Sequence, residues 1–372
     1  MTKPPAVTLG PRALEIAWSD GTTSRFHYVW LRDNCQQLQH ASTRHRVVET
    51  SSIPTDIKAA SASVDDEGEL RVVWDTDSHE SFWSHEWLRA HDYSNGATVL
   101  APPRTLWDAS MASEVPHVSY PELLASTETL LTFLEGFTSC GLGILHNVPC
   151  EPGTVLQVAA QFGELRTTSW GAVFDVVSME DANSVAYTNL PLVTHTDEGY
   201  RDPAPSIQLQ HFLRADASGG ASTLVDGFRI AEDIRRHQPE AFALLSTMVH
   251  RFHFADATAE HENLSSIIEL DGSGTIRAIR YSNHSVTPFL VPFDQMDAYY
   301  AAYRLFGTMR ESEQYQLRIP MGAGDLYMVD NRRVLHGRTG FSSGGARHLQ
   351  SCYIERDELA SKLTVLRRSL LR

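Results

Sequence analysis

Two stretches decide how this chain reads: Thr194-His195-Thr196-Asp197-Glu198 and, far downstream, Asp330-Asn331-Arg332-Arg333-Val334-Leu335-His336-Gly337-Arg338. On an extended backbone, residues two apart point to the same side, so His195 and Asp197 can converge on one ion. His336 follows a strand-like run, Asp325-Leu326-Tyr327-Met328-Val329-Asp330, and a neighbouring strand could bring its imidazole opposite them. Two imidazoles and one carboxylate fill three corners of an octahedron around iron(II) and leave three corners open to chemistry. A chain with 17 histidines offers His-x-Asp by chance, so the weight of the pattern comes from its surroundings.

Those surroundings read as many short strands with glycine-rich turns. Ser206-Ile207-Gln208-Leu209-Gln210-His211-Phe212 alternates as a half-buried strand should, and Ile267 to Tyr281 reads as a hairpin around Asp271-Gly272-Ser273-Gly274. Amphipathic helices are expected over Tyr120–Gly136, Gly153–Phe162 and Phe293–Met309. The pattern predicts a mostly β, α+β domain: a double-stranded β-helix, or jelly-roll, barrel with peripheral helices over residues 117–372. Upstream, residues 1–96 read as a small β-rich domain. Its hairpin signature is Leu14-Glu15-Ile16-Ala17-Trp18, a turn, then Ser24-Arg25-Phe26-His27-Tyr28-Val29-Trp30. Residues 97–116, with three prolines and few periodic apolar residues, read as a linker.

Composition narrows the function classes. At 372 residues and 42% hydrophobic content the chain can build two cores. A formal charge of −15 argues against nucleic acid or an anionic membrane as partner and leaves a small molecule in a pocket. No stretch approaches a membrane span, and the first residues lack the apolar core of a signal peptide. Four cysteines without a disulfide-like pattern suit a reducing cytoplasm.

The residues around both halves of the triad resemble the iron- and 2-oxoglutarate-dependent γ-butyrobetaine hydroxylase family. The resemblance is carried by Ala182 to Tyr187 leading into His195-Thr196-Asp197, by Gly219 to Phe228, by Asp330 to Arg338, and by Val29-Trp30-Leu31-Arg32-Asp33-Asn34-Cys35 near the start. It implies that His195, Asp197 and His336 bind Fe(II), and that 2-oxoglutarate and oxygen are consumed to hydroxylate a carbon, with release of succinate and carbon dioxide. Arg347 falls where the superfamily places the arginine for the far carboxylate of 2-oxoglutarate, a role suited to its planar fork, and Ser222 falls where a hydroxyl supports the same cosubstrate. Trp170, Phe174, Tyr187 and Tyr353 match positions of an aromatic cage for a trimethylammonium group, which offers no N–H and is recognised by ring faces. Relatives carry Tyr and Trp where this chain has Trp170 and Phe174.

The opposite end of the substrate departs further from the family. Asn283 is kept, but Ser184 replaces an asparagine and Glu198 stands where tyrosine is frequent, so the anionic head group is expected to differ from the carboxylate of γ-butyrobetaine, with the phosphonate of 2-(trimethylamino)ethylphosphonate as the leading variant. Strand alternation from Asn283 turns Arg280 to the other face. The family's N-terminal domain often holds zinc through three cysteines and a histidine. Only Cys35, His40 and His79 are offered here, one short of a tetrahedral set, so zinc is not expected. A homodimer is implied by the resemblance. Rival readings are a metal-dependent hydrolase with the same ligands, or a non-catalytic binding module on the same barrel.

Overall fold

The computed structural model describes residues 4–94, 104–177, 189–342 and 346–370. The chain divides into two compact units, Met1–Ala101 and Pro102–Arg372.

The first unit is built on two three-stranded antiparallel sheets. One joins Ala6–Leu9, Ala13–Ala17 and Thr23–His27, the other Ala59–Val64, Leu70–Trp74 and Glu80–Trp83. Alternation does what it predicts in the first hairpin: Leu14, Ile16 and Phe26 turn inward to meet Leu70, Val72, Trp74 and Trp83. It ends at His27, because Tyr28–Asp33 coil into a short helix whose buried residues, Tyr28 and Leu31, are three apart. Behind this helix Cys35 Sγ lies 3.3 Å from His79 Nε2, receives a hydrogen bond from Ser81 Oγ (3.0 Å) and donates to Gln37 Oε1 (3.3 Å). His40 is turned elsewhere, with its Nδ1 beside Ser42 Oγ and the Thr43 amide. Cys35, His40 and His79 therefore do not converge as a ligand set.

The second unit packs a seven-stranded sheet against a four-stranded one. The large sheet runs Phe174–Val177, Arg347–Ile354, Ile207–Ala215, Leu326–Asp330, Leu142–His146, His117–Ser119, with Leu165–Arg166 also paired to Arg347–Ile354. The small sheet runs Leu192–His195, Val334–Arg338, Ser222–Asp226, Leu317–Ile319. Phe212, Tyr327, Val329 and Leu349 from the large sheet share one core with Leu224, Leu317 and Val334 from the small one. Helices cover the outside. The helix expected over Tyr120–Gly136 is two, Tyr120–Ala125 and Thr127–Cys140, because Ser126 is extended and its hydroxyl accepts the Thr129 N–H as an N-cap.

The linker expectation changes here. Residues 104–116 are no loose linker: Trp107, Met111 and Val115 are buried in the shared core, and the Trp107 indole donates to the Cys140 carbonyl. Proline count signalled a linker, but three large apolar side chains had a core to fill. Nearby, Arg333 is buried against Asp226 (2.7 Å) and also donates to the Ser139 and Thr105 carbonyls, so one guanidinium ties three segments together with its charge and its donors satisfied. Among the described residues no helix is long and apolar enough to cross a membrane.

Candidate metal centre

Strand pairing assembles the triad. His195 and His336 are direct partners across the antiparallel pair Leu192–His195 and Val334–Arg338, which places both imidazoles on one face with ring centroids 4.9 Å apart. The two strands approach so closely at Gly337 that a Cβ there would lie 2.3 Å from the Leu192 carbonyl oxygen, so only glycine fits between His336 and Arg338. Asp197 follows two residues after His195. Its Oδ1 lies 3.2 Å from His195 Nε2 and its Oδ2 3.3 Å from His336 Nε2. Ligand atoms of all three residues fall within 4.8 Å of one another, and among the described residues no other group of three or more such side chains does so.

Surrounding atoms orient His195 and Asp197 for a metal. His195 Nδ1 is 3.0 Å from the Val193 carbonyl, so Nδ1 carries the proton and Nε2 keeps its lone pair for the ion. The Asp197 backbone is clamped by one side-chain amide: Asn331 Oδ1 accepts the Asp197 N–H (2.7 Å) and Asn331 Nδ2 donates to its carbonyl (3.1 Å) and to that of Pro205 (2.9 Å). From the large sheet, Gln208 Nε2 (2.6 Å) and the Tyr353 hydroxyl (2.7 Å) both donate to Asp197 Oδ2. Gln208 and Tyr353 are register partners, so the sheet delivers two donors to one carboxylate oxygen. Burial pushes the Asp197 carboxyl up, but His336 and His195 outweigh it and hold the group well below the usual carboxylate range. A site that keeps its acid ionised and both Nε2 atoms turned inward fits a divalent cation, with one face left open.

That face opens into a cavity of about 580 Å³, lined on one side by Trp170, Phe174, Tyr200, Phe254 and Tyr353. Rings pack in two groups: Trp170 and Tyr200 each on Phe254 (centroids 5.8 and 5.0 Å), and Phe174 on Tyr353 (5.7 Å). On another side stand two arginines. Arg347 lies over Phe212 (5.3 Å) and Phe341 (5.5 Å), and Arg338 shares Phe341 (5.4 Å). Burial lowers the pKa of both, that of Arg338 to about 10, where the charge of Arg347 adds to the effect. Among the described residues no carboxylate forms an ion pair with Arg347, so an incoming anion would relieve a crowded positive corner.

The remaining site residues fall as follows. Ser222 is buried, is not on the cavity wall, and pairs with Arg338 across the small sheet. Glu198 does line the cavity, held in the left-handed region (φ 48°), with one oxygen bonded to Arg201 Nε and the other without a partner among the described residues. Asn283 is exposed and absent from the wall; its Oδ1 accepts the Tyr303 hydroxyl instead, and its neighbours Ser282, His284 and Ser285 line the cavity. Asn283 was expected at the substrate; the Tyr303 hydroxyl occupies its amide oxygen here. Arg280 stands off the cavity, buried against Glu269 and donating to the Gly199 and Arg201 carbonyls. Ser184 and Tyr187 lie outside the described residues. Residues that sequence reading passed over are Gln208, Asn331, Tyr200, Phe254 and Arg338. Asn331 and Arg338 sat inside a stretch already singled out, and Gln208 was legible as the inward residue of an alternating strand two positions from Ser206.

Comparison with known proteins agrees with this geometry. Residues 100–353 match the profile "Taurine catabolism dioxygenase TauD, TfdA family", and residues 7–89 match "Gamma-butyrobetaine hydroxylase-like, N-terminal". The chain is 38% identical to the gamma-butyrobetaine dioxygenase of Pseudomonas sp. (strain AK-1), over 95% of this chain and 94% of that protein. It is 30% identical to the human gamma-butyrobetaine dioxygenase, over 96% of this chain and 95% of that one. To the mitochondrial trimethyllysine dioxygenase of Gallus gallus it is 31% identical, over 95% and 86%. With an His195–Asp197–His336 centre, an arginine-lined corner and these relatives, the chain belongs to the TauD, TfdA family and is a 2-oxoglutarate-dependent dioxygenase that uses Fe(II), 2-oxoglutarate and oxygen.

Proposed function

We propose that this dioxygenase hydroxylates a small trimethylammonium zwitterion, with γ-butyrobetaine and 2-(trimethylamino)ethylphosphonate as the two candidate substrates. The observation that carries this reading is the cavity that holds the triad on its wall and is lined as well by Trp170, Phe174, Tyr200, Phe254 and Tyr353. A quaternary ammonium cannot donate an N–H, so ring faces are its natural surface, each contributing about 0.5–2 kcal/mol as desolvation deepens. Relatives named for γ-butyrobetaine and trimethyllysine support the same substrate class.

In this reading His195, Asp197 and His336 hold Fe(II), and the oxidising power comes from the metal, 2-oxoglutarate and oxygen together as succinate and carbon dioxide are released. Arg347, backed by Phe212 and Phe341, receives the far carboxylate of 2-oxoglutarate, and Ser222 supports that corner from the adjacent strand. Gln208 and Tyr353 hold Asp197 in one orientation on the cavity wall, where it would share a bound Fe(II) with His195 and His336. The rings position the substrate carbon and keep water from the reacting face. Residues 117–372 are read as the jelly-roll dioxygenase domain and residues 1–96 as a separate N-terminal domain. The free cysteines suit a cytoplasmic setting.

The test is a panel of γ-butyrobetaine, trimethyllysine and 2-(trimethylamino)ethylphosphonate, read by substrate-dependent succinate release. Trp170→Leu is expected to weaken trimethylammonium substrates by about tenfold while sparing their uncharged tert-butyl isosteres. Equal losses for both would sink the cation cage.

A further inference from the structure

Ser222 pairs with Arg338 on the small sheet and does not line the cavity, so the wall of the arginine corner takes its hydroxyl from elsewhere. The large sheet supplies one. On the strand Ile207–Ala215, Gln208, Gln210 and Phe212 follow each other at two-residue steps on one face, about 7 Å per step. Gln208 donates to Asp197 at one end (2.6 Å), and Phe212 carries the Arg347 guanidinium over its ring at the other (5.3 Å). Gln210 lines the cavity between them, and its register partner on the strand Leu326–Asp330 is Tyr327. Strand pairing thus sets Tyr327 along the path from the metal ligand to the arginine.

Tyr327 is 2% exposed and lines the cavity. Its ring packs on Phe212 (centroids 6.2 Å), the ring that also backs Arg347, and Arg338 joins the corner by sharing Phe341 with Arg347. Its hydroxyl makes no hydrogen bond among the described residues. Nor is it sealed away, unlike Glu198 Oε1, Gln208 Oε1 and Ser285 Oγ on the same wall, so the exposed remnant of this side chain includes its O–H. Burial pushes the hydroxyl's pKa up against the nearby charge of Arg347, with Asp197 adding to the rise and Arg338 opposing it, so the group stays protonated. A protonated, partner-free O–H in a desolvated corner is a donor waiting for an acceptor.

We propose that Tyr327 is a cosubstrate-binding residue whose hydroxyl donates to the far carboxylate of 2-oxoglutarate, beside the fork of Arg347. The proposal rests on the reading of Arg347 as the receiver of that carboxylate and adds a neutral, directional donor to it. A carboxylate has about four acceptor sites, so a bidentate arginine leaves room for an O–H, and a bond from O–H to an ionised oxygen is of the short, strong kind. A 2-oxo acid that ends in a methyl group offers this corner no acceptor, and the hydroxyl then contributes nothing to its binding.

The test measures binding of two acids to the full chain with Fe(II), by calorimetry without oxygen, so that no turnover enters. One is 2-oxoglutarate; the other is 2-oxovalerate, which keeps the five carbons and the 2-oxo acid end but has a methyl in place of the far carboxylate. Tyr327→Phe, which keeps the ring, is expected to raise the Kd of 2-oxoglutarate about tenfold or more and to leave that of 2-oxovalerate within about twofold. Arg347→Gln is measured on the same pair and should also lose 2-oxoglutarate selectively. A Tyr327→Phe protein that binds 2-oxoglutarate as wild type does, or that loses both acids equally, overturns the proposal, while a selective loss in Arg347→Gln keeps the arginine reading intact. Unchanged 2-oxoglutarate binding in Arg347→Gln removes that reading and this proposal with it. A loss in Tyr327→Phe confined to γ-butyrobetaine would assign the hydroxyl to the substrate and overturn it as well.

Discussion

Among the described residues, the Cys35–His79 cluster of the first unit and the His195–Asp197–His336 cluster of the second are finished in different ways. In the first unit, Cys35 and His79 meet at 3.3 Å, and Ser81 and Gln37 complete the cluster as hydrogen-bond donor and acceptor around the sulfur. Gln37 Oε1 also accepts the Phe82 N–H, so the group is knitted into its sheet. In the second unit, His195, Asp197 and His336 turn their ligand atoms toward one point, while the hydrogen bonds come from behind, through Val193, Gln208, Tyr353 and Asn331. The first cluster spends its polar atoms on itself. In the second, the supporting bonds leave the inner atoms ready for an ion, which is the arrangement a working metal site requires.

The sharpest way to break this contrast is to remove the carboxylate at its centre. Asp197→Ala is expected to lower iron-dependent succinate formation by more than about a hundredfold, since it takes away a ligand and the charge that both imidazoles face. Circular dichroism should show an unchanged fold, because Asn331 grips the Asp197 backbone and not its side chain. Substantial turnover in this variant would remove Asp197 from the centre. A smaller effect is expected one step further out. Gln208→Leu deletes one of the two donors to Asp197 Oδ2 and should weaken Fe(II) affinity by about 10–100-fold, measured by metal titration of the apoprotein. Unchanged affinity would mean that Tyr353 alone holds the carboxylate.

The triad was legible in the sequence because two short-range rules, side-chain alternation and His-x-Asp spacing, place two of its ligands, and the distant His336 lies in a segment patterned as a strand. What strand pairing adds is less accessible. That His195 stands opposite His336, and Gln208 opposite Tyr353, depends on register across residues more than a hundred positions apart. Tyr353 illustrates the consequence: its ring was expected in an aromatic wall, where it does stand, but its hydroxyl reaches Asp197, which no local pattern reveals. Asn283 shows the same limit, because motif position says nothing of the Tyr303 hydroxyl bonded to its amide. The segment 104–116 shows composition misleading outright: prolines suggested a tether, while Trp107 and Arg333 together bind it to the core shared by the two sheets through Cys140, Thr105 and Asp226.

The smallest expected effect lies in the first unit and tests the other side of the contrast. If Cys35 serves its sheet through hydrogen bonds, Cys35→Ala leaves the fully buried Ser81 Oγ one acceptor short, and should cost about 1–2 kcal/mol. In a unit of this size, about 1 kcal/mol corresponds to roughly 4–8 °C in its melting transition. The measurement is calorimetric unfolding of the full chain, with and without added zinc. Because the polar atoms around Cys35 are already paired and His40 is turned away, the wild-type transition should not move with zinc, whereas a structural metal would raise it by mass action. A zinc-dependent rise that disappears in Cys35→Ala would show that this cluster, too, holds an ion, and the distinction between a tied-off cluster and an open one would have to be drawn elsewhere in the chain.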